Sequence, residues 1–228
     1  MTSKFLIRIA FLVLLLYCIA IQILIAAPKA STLKKNNARY NYSNYNCSKY
    51  GLSLQAFDYA IKGLQQQISK GAITNPNTLT IADYSLPSNV NRLFVLNLNK
   101  QKVQLCTRVA HGQGSGGLYA TQFSNITDSH QSSLGVYKIG DTYIGQHGPS
   151  LLLYGLQKGI NDNAYNRNIV IHGSNYVSDA ISGSNEATGR SWGCPAVSNS
   201  VITKLIKFVS KGTCFVAYAK AITKKYAI

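Results

Sequence analysis

The chain has 228 residues, of which 23 are Lys or Arg and seven are Asp or Glu, so its formal net charge is +16. Hydrophobic residues make up 46% and charged residues only 13%, which excludes a generally disordered chain. The length allows one ordinary domain with an extension, and five Cys are too few for a disulfide-stapled scaffold.

The N-terminus has a basic start followed by an apolar run. Lys4 and Arg8 precede residues 9–27, an apolar stretch that only Gln22 interrupts. The pattern predicts that residues 1–27 are a signal peptide or a signal anchor, and the run is just long enough to span a bilayer. Either alternative predicts an exported protein of the periplasm or cell envelope, with an inner-membrane anchor over residues 9–27 if the leader is retained.

The charge outside the leader predicts an anionic partner. The last 25 residues carry six Lys and no acid. Such a chain suits an anionic cell wall or membrane surface, whereas nucleic acid is not expected, because the protein is exported and has no nucleic-acid motif. The oligomeric state is left open by the sequence.

Residues 28–50 are rich in Asn, Tyr and Lys without a period, and they predict a linker. Residues 51–74 predict an amphipathic helix that packs on the domain and ends at Gly71. Its apolar positions are Leu54, Phe57, Ile61, Leu64 and Ile68.

From residue 75 onwards the pattern changes to short β-branched and aliphatic runs. The predicted strands are 78–84, 92–98, 102–109, 135–139, 151–154, 168–172 and 214–219. A second amphipathic helix is predicted over 201–209, capped by Ser198 or Asn199 and stopped by Gly212. The predicted fold class is therefore mainly β (α+β), with one domain over 75–228, a helix before it and a helix near its C-terminus.

Two residues predict nucleophilic chemistry. Cys194 lies in a Gly-rich loop without helical or strand period, and His172 ends an apolar strand. A thiol nucleophile needs a base, because only a few per cent is ionised near neutral pH. The alternative for His172 is a core residue with satisfied hydrogen bonds.

Cys106 and Cys214 lie inside strand patterns. They are predicted to be either small buried hydrophobic residues or the two halves of a disulfide. No cofactor is predicted, and no metal site, because the His and Cys residues lack ligand-pair spacing.

The two motifs together resemble a known family. The segments 169–173 (IVIHG) and 189–197 (GRSWGCPAV) resemble the murein L,D-transpeptidase catalytic-domain family of the YkuD type, in its branch with an SWGCP motif. Further matching segments are 111–116, 123–125, 132–135, 143–148 and 155–156. The resemblance implies a β-rich sandwich or barrel and an enzyme that acts on peptidoglycan stem peptides.

The resemblance also implies a mechanism. Cys194 would attack the diaminopimelate carbonyl of a donor tetrapeptide, release D-Ala and form a thioester, with His172 as the base. An amine of a neighbouring stem would then resolve the thioester into a 3→3 crosslink. Water as the acceptor would make the protein an L,D-carboxypeptidase or a crosslink hydrolase. The alternative from another class is a wall-binding module without turnover.

Other residues are given supporting roles. The Gly173 carbonyl is expected to orient the imidazole, and the N–H groups of Gly193 and Cys194 to bind the oxyanion. Arg190 is expected to pair with a substrate carboxylate and Trp192 to stack over the substrate or cap the core. Many relatives have His where Trp192 stands. By resemblance, the further substrate-binding residues are Ser191, Tyr143, His147, Phe123, Ser124, Asn125 and Ser133.

Overall fold

Within the described residues, eight strands form one sheet. The computed structural model describes residues 40–177 and 187–225, without the side chains of residues 223–225. The strands are β1 (Thr78–Asp83), β2 (Leu93–Asn97), β3 (Lys102–Thr107), β4 (Gly135–Gly145), β5 (Gly148–Gly155), β6 (Val170–Ser174), β7 (Ala196–Ser198) and β8 (Cys214–Tyr218). Their order in the sheet is β3-β2-β1-β8-β4-β5-β6-β7.

The sheet curls into a nearly closed barrel. Ala110, just after the edge strand β3, bridges to Ala196 in the other edge strand β7. The pairs β1/β8 and β6/β7 are parallel, and the other neighbouring pairs are antiparallel. The prediction of a mainly β fold is confirmed.

The helices are α1 (Cys47–Tyr50), α2 (Leu54–Ser69), α3 (Asn199–Phe208) and α4 (Lys220–Lys225). Helix α2 begins where Ser53 Oγ accepts a hydrogen bond from Ala56 N at 3.2 Å. Ser53 Oγ also donates to Asp83 at the end of β1, 2.6 Å away. The apolar stripe of α2 packs against β1 and β8, as its period predicts. Helix α3 is capped by Ser198.

The predicted linker over residues 28–50 is wrong for its last part. Tyr42–Tyr45 form a 3₁₀ turn, and α1 follows directly. Tyr45 and Cys47 are buried, and the rings of Tyr42 and Tyr45 lie 5.5 and 5.6 Å from the ring of Phe57 in α2. Aromatic side chains in an unpatterned segment therefore join the core because α2 offers them an apolar surface.

The disulfide alternative for Cys106 and Cys214 is wrong. Cys106 lies in β3 and Cys214 in β8, with β2 and β1 between them. Three strand spacings are about 14 Å, beyond the reach of a disulfide. The four described Cys, at positions 47, 106, 194 and 214, are all free thiols.

Two features of the sheet escape the sequence pattern. Strands β4 and β5 are longer than predicted and form one hairpin that extends to Gly145 and Gly148. Strand β7, only three residues long, follows Pro195 and pairs with β6. In residues 40–177 and 187–225 no helix is long and apolar enough to cross a bilayer, and the predicted leader, 1–27, lies outside these residues.

Candidate active site

His172 lies in the middle of β6, in a row of side chains that crosses three strands. Ser150 of β5 pairs with His172, and Tyr143 of β4 pairs with Ser150. Because directly opposite residues of antiparallel strands point to the same face, the three side chains share one face of the sheet. His172 is 2% exposed and Tyr143 is 39% exposed, so the row runs from a buried imidazole to a partly open ring.

The imidazole of His172 is oriented by the backbone of the next residue. Its Nδ1 lies 2.8 Å from the carbonyl oxygen of Gly173. Since a carbonyl only accepts, Nδ1 carries the hydrogen and Nε2 carries the lone pair of the neutral ring. Burial lowers the pKa of His172, the Gly173 carbonyl raises it and His147 lowers it further. The side chain is therefore held as a neutral imidazole whose Nε2 can accept a proton.

The tip of the β4–β5 hairpin covers this imidazole. Gln146 and His147 connect the two strands, and Gly148 takes the positive φ (+75°) that the tight turn requires. The His147 ring stacks on the His172 ring, with centroids 4.3 Å apart and an interplanar angle of 22°. His147 is itself exposed, so the tip forms an outer wall of the site.

Cys194 lies beside the same strand. Strand β7 runs parallel to β6, with Ala196 opposite His172, which places Cys194 next to the start of β6. The Cys194 Sγ accepts a hydrogen bond from Val170 N at 3.4 Å and donates one to Asn168 O at 3.5 Å. Val170 lies two residues before His172 on one strand, so the structure brings thiol and imidazole to the same part of the sheet.

In this structure the sulfur contacts backbone and not the imidazole. Among the described residues, the hydrogen bonds of Cys194 Sγ go to Val170 and Asn168, and none joins it to His172. Burial raises the pKa of the Cys194 thiol, while the Val170 N–H and the charge of Arg167 lower it. The resting side chains are therefore a neutral thiol and a neutral imidazole.

The loop that carries Cys194 is clamped from two sides. Ser191 Oγ donates to the Cys194 carbonyl at 2.6 Å. Ser132 Oγ donates to the Gly193 carbonyl at 3.0 Å and accepts from Gly112 N at 3.0 Å. Ser191 is 6% exposed. The Ser191 hydroxyl is therefore enclosed and used to hold the loop, and substrate binding by Ser191 stays a prediction.

Gly193 has a geometry that only glycine tolerates. Its φ is +125°, and a Cβ there would lie 2.9 Å from Gln131 O. Its N–H donates to Ser191 Oγ at 3.1 Å, so this N–H does not point at a reacting carbonyl. The oxyanion role of Gly193 stays a prediction, and it would require this N–H to leave Ser191 Oγ. The Cys194 N–H has no hydrogen-bond partner among the described residues and remains the candidate donor.

The side chains on either side of Ser191, those of Arg190 and Trp192, lie on the surface. Trp192 is 72% exposed and stacks on His130, with ring centroids 4.9 Å apart and an interplanar angle of 4°. The alternative that Trp192 caps the core is therefore wrong. Arg190 is exposed, and its Nη1 donates to the Gly116 carbonyl at 3.0 Å.

The remaining predicted substrate residues lie in the segment 123–133. Ser133 is buried, and its hydroxyl donates to the Ser124 carbonyl at 2.9 Å, so substrate binding by Ser133 stays a prediction. Phe123, Ser124 and Asn125 line a cavity of about 480 Å³. Its other lining residues are Thr121, Ile126, Leu134, Gly159, Ile160, Ala221 and Ile222.

The sequence patterns did not indicate two arginines that lie near the loop that carries Cys194. Arg92 is fully buried, and its Nη2 lies 2.7 Å from Nδ1 of His111, which is also buried. Arg167, half-buried, donates to the Gln131 carbonyl at 2.6 Å. Both arginines come shortly before an apolar strand. In the sequence, a basic residue at such a position indicates only where the strand begins. Within the described residues no cluster of His, Cys, Asp or Glu suits a metal ion.

The family model for the L,D-transpeptidase catalytic domain matches residues 48–218, about three quarters of the chain. The chain belongs to this family. The match includes β1 to β8 and both His172 and Cys194. The domain is therefore an enzyme domain of the family that crosslinks peptidoglycan, as the resemblance implies. Because the family acts on the cell wall, membership also favours an exported chain.

Solved structures resemble the domain weakly. An L,D-transpeptidase from Mycobacterium smegmatis is 12% identical, with 63% of this chain and 59% of that chain covered and a TM-score of 0.39. An L,D-transpeptidase from Mycobacterium tuberculosis is 9% identical, with 64% of this chain and 59% of that chain covered and a TM-score of 0.40. One from Stackebrandtia nassauensis is 14% identical, with 70% of this chain and 66% of that chain covered and a TM-score of 0.39. The chain thus spans about three fifths of the first two relatives. No curated protein matches the chain significantly.

Proposed function

We propose that this domain transfers acyl groups between peptidoglycan stem peptides, as an L,D-transpeptidase with Cys194 as the nucleophile. One observation carries the proposal. The Cys194 thiol lies against β6, at Val170, two residues before a His172 whose imidazole is kept neutral by burial and is oriented by the Gly173 carbonyl. The proposed nucleophile, its base and the group that orients the base thus come from β6 and from the loop that leads into β7.

The first half-reaction follows from these positions. Rotation about the Cα–Cβ bond of Cys194 turns the sulfur from the Val170 N–H towards the imidazole, and Nε2 of His172 takes the thiol proton. The thiolate attacks the carbonyl that joins diaminopimelate to the terminal D-Ala. The tetrahedral oxyanion is stabilised by the Cys194 N–H. As the C–N bond breaks, His172 returns the proton to the leaving D-Ala amine, and a thioester on Cys194 remains.

The second half-reaction reverses these roles. An amine from a neighbouring stem attacks the thioester, His172 removes its proton, and the sulfur leaves with that proton as the acyl group forms a 3→3 crosslink. Since the pKa of the thiol is raised and that of the imidazole lowered, the proton moves during attack and no stable ion pair precedes it. Substrate lies between the hairpin wall of Tyr143 and His147 and the loop that carries Arg190 and Trp192.

Replacing the nucleophile tests the proposal. The wild-type chain, incubated with tetrapeptide muropeptides, is expected to give 3→3 dimers by mass spectrometry, and Cys194→Ala is expected to give none. Cys106→Ala is the matched control, because Cys106 is also half-buried and also contacts a backbone carbonyl, Tyr50 O, at 3.7 Å. It should retain the wild-type products.

The product distinguishes the reactions that one thioester allows. Tripeptides without dimers would show that water is the acceptor and that the enzyme is an L,D-carboxypeptidase. Loss of dimers supplied to the enzyme would show a crosslink hydrolase. Unchanged products from Cys194→Ala would refute the assignment of the nucleophile, and binding to cell wall without any product would favour a binding module.

The location follows the substrate. We place the domain outside the cytoplasmic membrane, in the periplasm or cell envelope, with residues 1–27 as signal peptide or anchor. The formal net charge of +16 favours contact with an anionic wall or lipid surface. The domain begins near Tyr40, ahead of helix α2, because the segment that contains Tyr45 belongs to the hydrophobic core.

A further inference from the structure

Arg167 holds several segments together just before β6. Its Nη1 donates to the Ser124 carbonyl at 2.7 Å and to Ser133 Oγ at 2.5 Å. Its Nη2 donates to the Gln131 carbonyl at 2.6 Å and to Ser129 Oγ at 3.3 Å. All four partners are neutral groups of the segment 124–133. The guanidinium is therefore fixed in direction by hydrogen bonds that leave its positive charge unneutralised.

This charge lies beneath the turn that carries the nucleophile. A Cβ built on Gly193 would be 3.3 Å from Nη2 of Arg167 and 2.9 Å from the Gln131 carbonyl. Gly193 thus packs directly on the guanidinium and on one of its acceptors, and Cys194 is the next residue. Among the described residues, no carboxylate forms an ion pair with Arg167. A fixed cation that packs on the residue before Cys194 favours the anionic form of the sulfur, and its charge lowers the pKa of the Cys194 thiol.

From this geometry we propose that Arg167 is a positioning residue of the catalytic thiol: its hydrogen bonds hold the segment under Gly193, and its charge stabilises the Cys194 thiolate. The inference rests on the proposed function only in taking Cys194 as the nucleophile. His172 supplies the base in that mechanism, whereas Arg167 stabilises the negative charge that develops on the sulfur as the proton moves.

The other titratable groups around the sulfur do not replace this charge. Besides Arg167 and nearby His172, the described groups that act electrostatically on or with Cys194 are Tyr84 and Tyr176. Burial raises the pKa of Tyr84 to about 12 and raises that of Tyr176, so both phenols are neutral at physiological pH.

The groups that act on Arg167 leave its charge in place. They include Tyr137, whose pKa burial raises above its ordinary range, and Asp128 in an exposed loop. Burial lowers the pKa of Arg167, but a guanidinium remains charged at neutral pH.

The test measures the ionisation of Cys194 directly. The full chain is alkylated with iodoacetamide between pH 5 and about 10, and the modification of the peptide that contains Cys194 is followed by mass spectrometry. Arg167→Gln should raise the thiol pKa by about one unit, a tenfold loss of thiolate, because the cation is removed. Arg167→Lys, which keeps a charge, should raise it less. Arg108→Gln is the matched control, since Arg108 is a half-buried arginine whose Nε donates to a carbonyl, Asn89 O, at 3.0 Å.

The outcomes separate this inference from the proposed function. An unchanged alkylation profile in folded Arg167→Gln overturns the role of Arg167, even if the wild-type chain makes crosslinks. Absence of product from the wild-type chain overturns the proposed function, whatever the alkylation profile.

A second variant decides the matter if Arg167→Gln does not fold by circular dichroism. Ser129→Asp places a carboxylate next to Nη2 and cancels the charge without removing the guanidinium. A raised thiol pKa in this variant supports the inference, and an unchanged value overturns it.

Discussion

The regions around His111 and His172 hold two buried histidines that the structure uses in opposite ways. Both rings are shielded from solvent, with exposures of 0% for His111 and 2% for His172, and burial lowers the pKa of each. His111 Nδ1 accepts from Arg92 at 2.7 Å, and its Nε2 lies 3.3 Å from the Gly116 carbonyl. In His172 only Nδ1 has a hydrogen-bond partner among the described residues, the Gly173 carbonyl.

The difference shows what separates a structural histidine from a candidate base. With both nitrogens occupied, His111 cannot take a proton without losing the contact with Arg92. Its backbone meanwhile holds the catalytic loop, since the His111 carbonyl accepts from Ser191 N at 3.0 Å. His172 keeps one nitrogen for chemistry and uses the other for orientation. Burial alone therefore does not identify the base. The distinguishing feature is a ring nitrogen that has no hydrogen-bond partner among the described residues.

The largest expected effect separates the two histidines by activity. His172→Gln should lower kcat/KM for crosslink formation by about 10²–10⁴, because general-base catalysis of that size is lost. His111→Gln should lower it by less than about tenfold, since its amide can accept from Arg92 and donate to the Gly116 carbonyl. Timed mass spectrometry of muropeptide products measures both. Equal losses in the two variants would contradict the distinction between them.

A smaller effect concerns stability at acid pH. Burial and the charge of Arg92 lower the pKa of His111 from 6.5 to about 4. Between these values the unfolded chain binds more protons than the native one, so the free energy of unfolding falls as the pH is lowered from 6.5 towards 4. The shift corresponds to about 3 kcal/mol.

Urea unfolding at a series of pH values checks this prediction. His111→Gln cannot be protonated and should lose most of that pH dependence, while a smaller slope in the same direction remains from His172, whose pKa is also lowered. A variant as acid-sensitive as the wild-type chain would show that His111 is not the group responsible.

The smallest expected effect concerns the ring that covers His172. His147→Ala removes a stacked ring that lowers the pKa of His172 and shields it from water. Both changes raise that pKa, so the acid limb of the pH–rate profile should move upward by about half a unit, with kcat/KM reduced a few-fold. Gln146→Ala, at the same hairpin tip, should leave the acid limb in place. A shift of equal size in Gln146→Ala would attribute the effect to the hairpin rather than to the imidazole.

The sequence by itself determined the elements with a strong local pattern. The apolar period of α2 predicted a helix, and short aliphatic runs predicted β1, β2, β3, β6 and β8, because side-chain periodicity follows the local backbone. It also predicted a catalytic role for His172, Gly173 and Cys194, because a His at a strand end and a Cys in a Gly-rich loop form an unusual combination. The family match over residues 48–218 agrees with these patterns.

The tertiary structure alone decided which of the polar residues meet. The Ser191 hydroxyl and the Gly193 N–H, both predicted to face substrate, make hydrogen bonds within the loop, and the Ser133 hydroxyl donates to the Ser124 carbonyl. Arg167 reaches the turn at Gly193 through hydrogen bonds with a segment more than 30 residues earlier in the chain. Local sequence carries no record of such pairings, because they depend on how distant strands close the sheet and bring separate loops into contact.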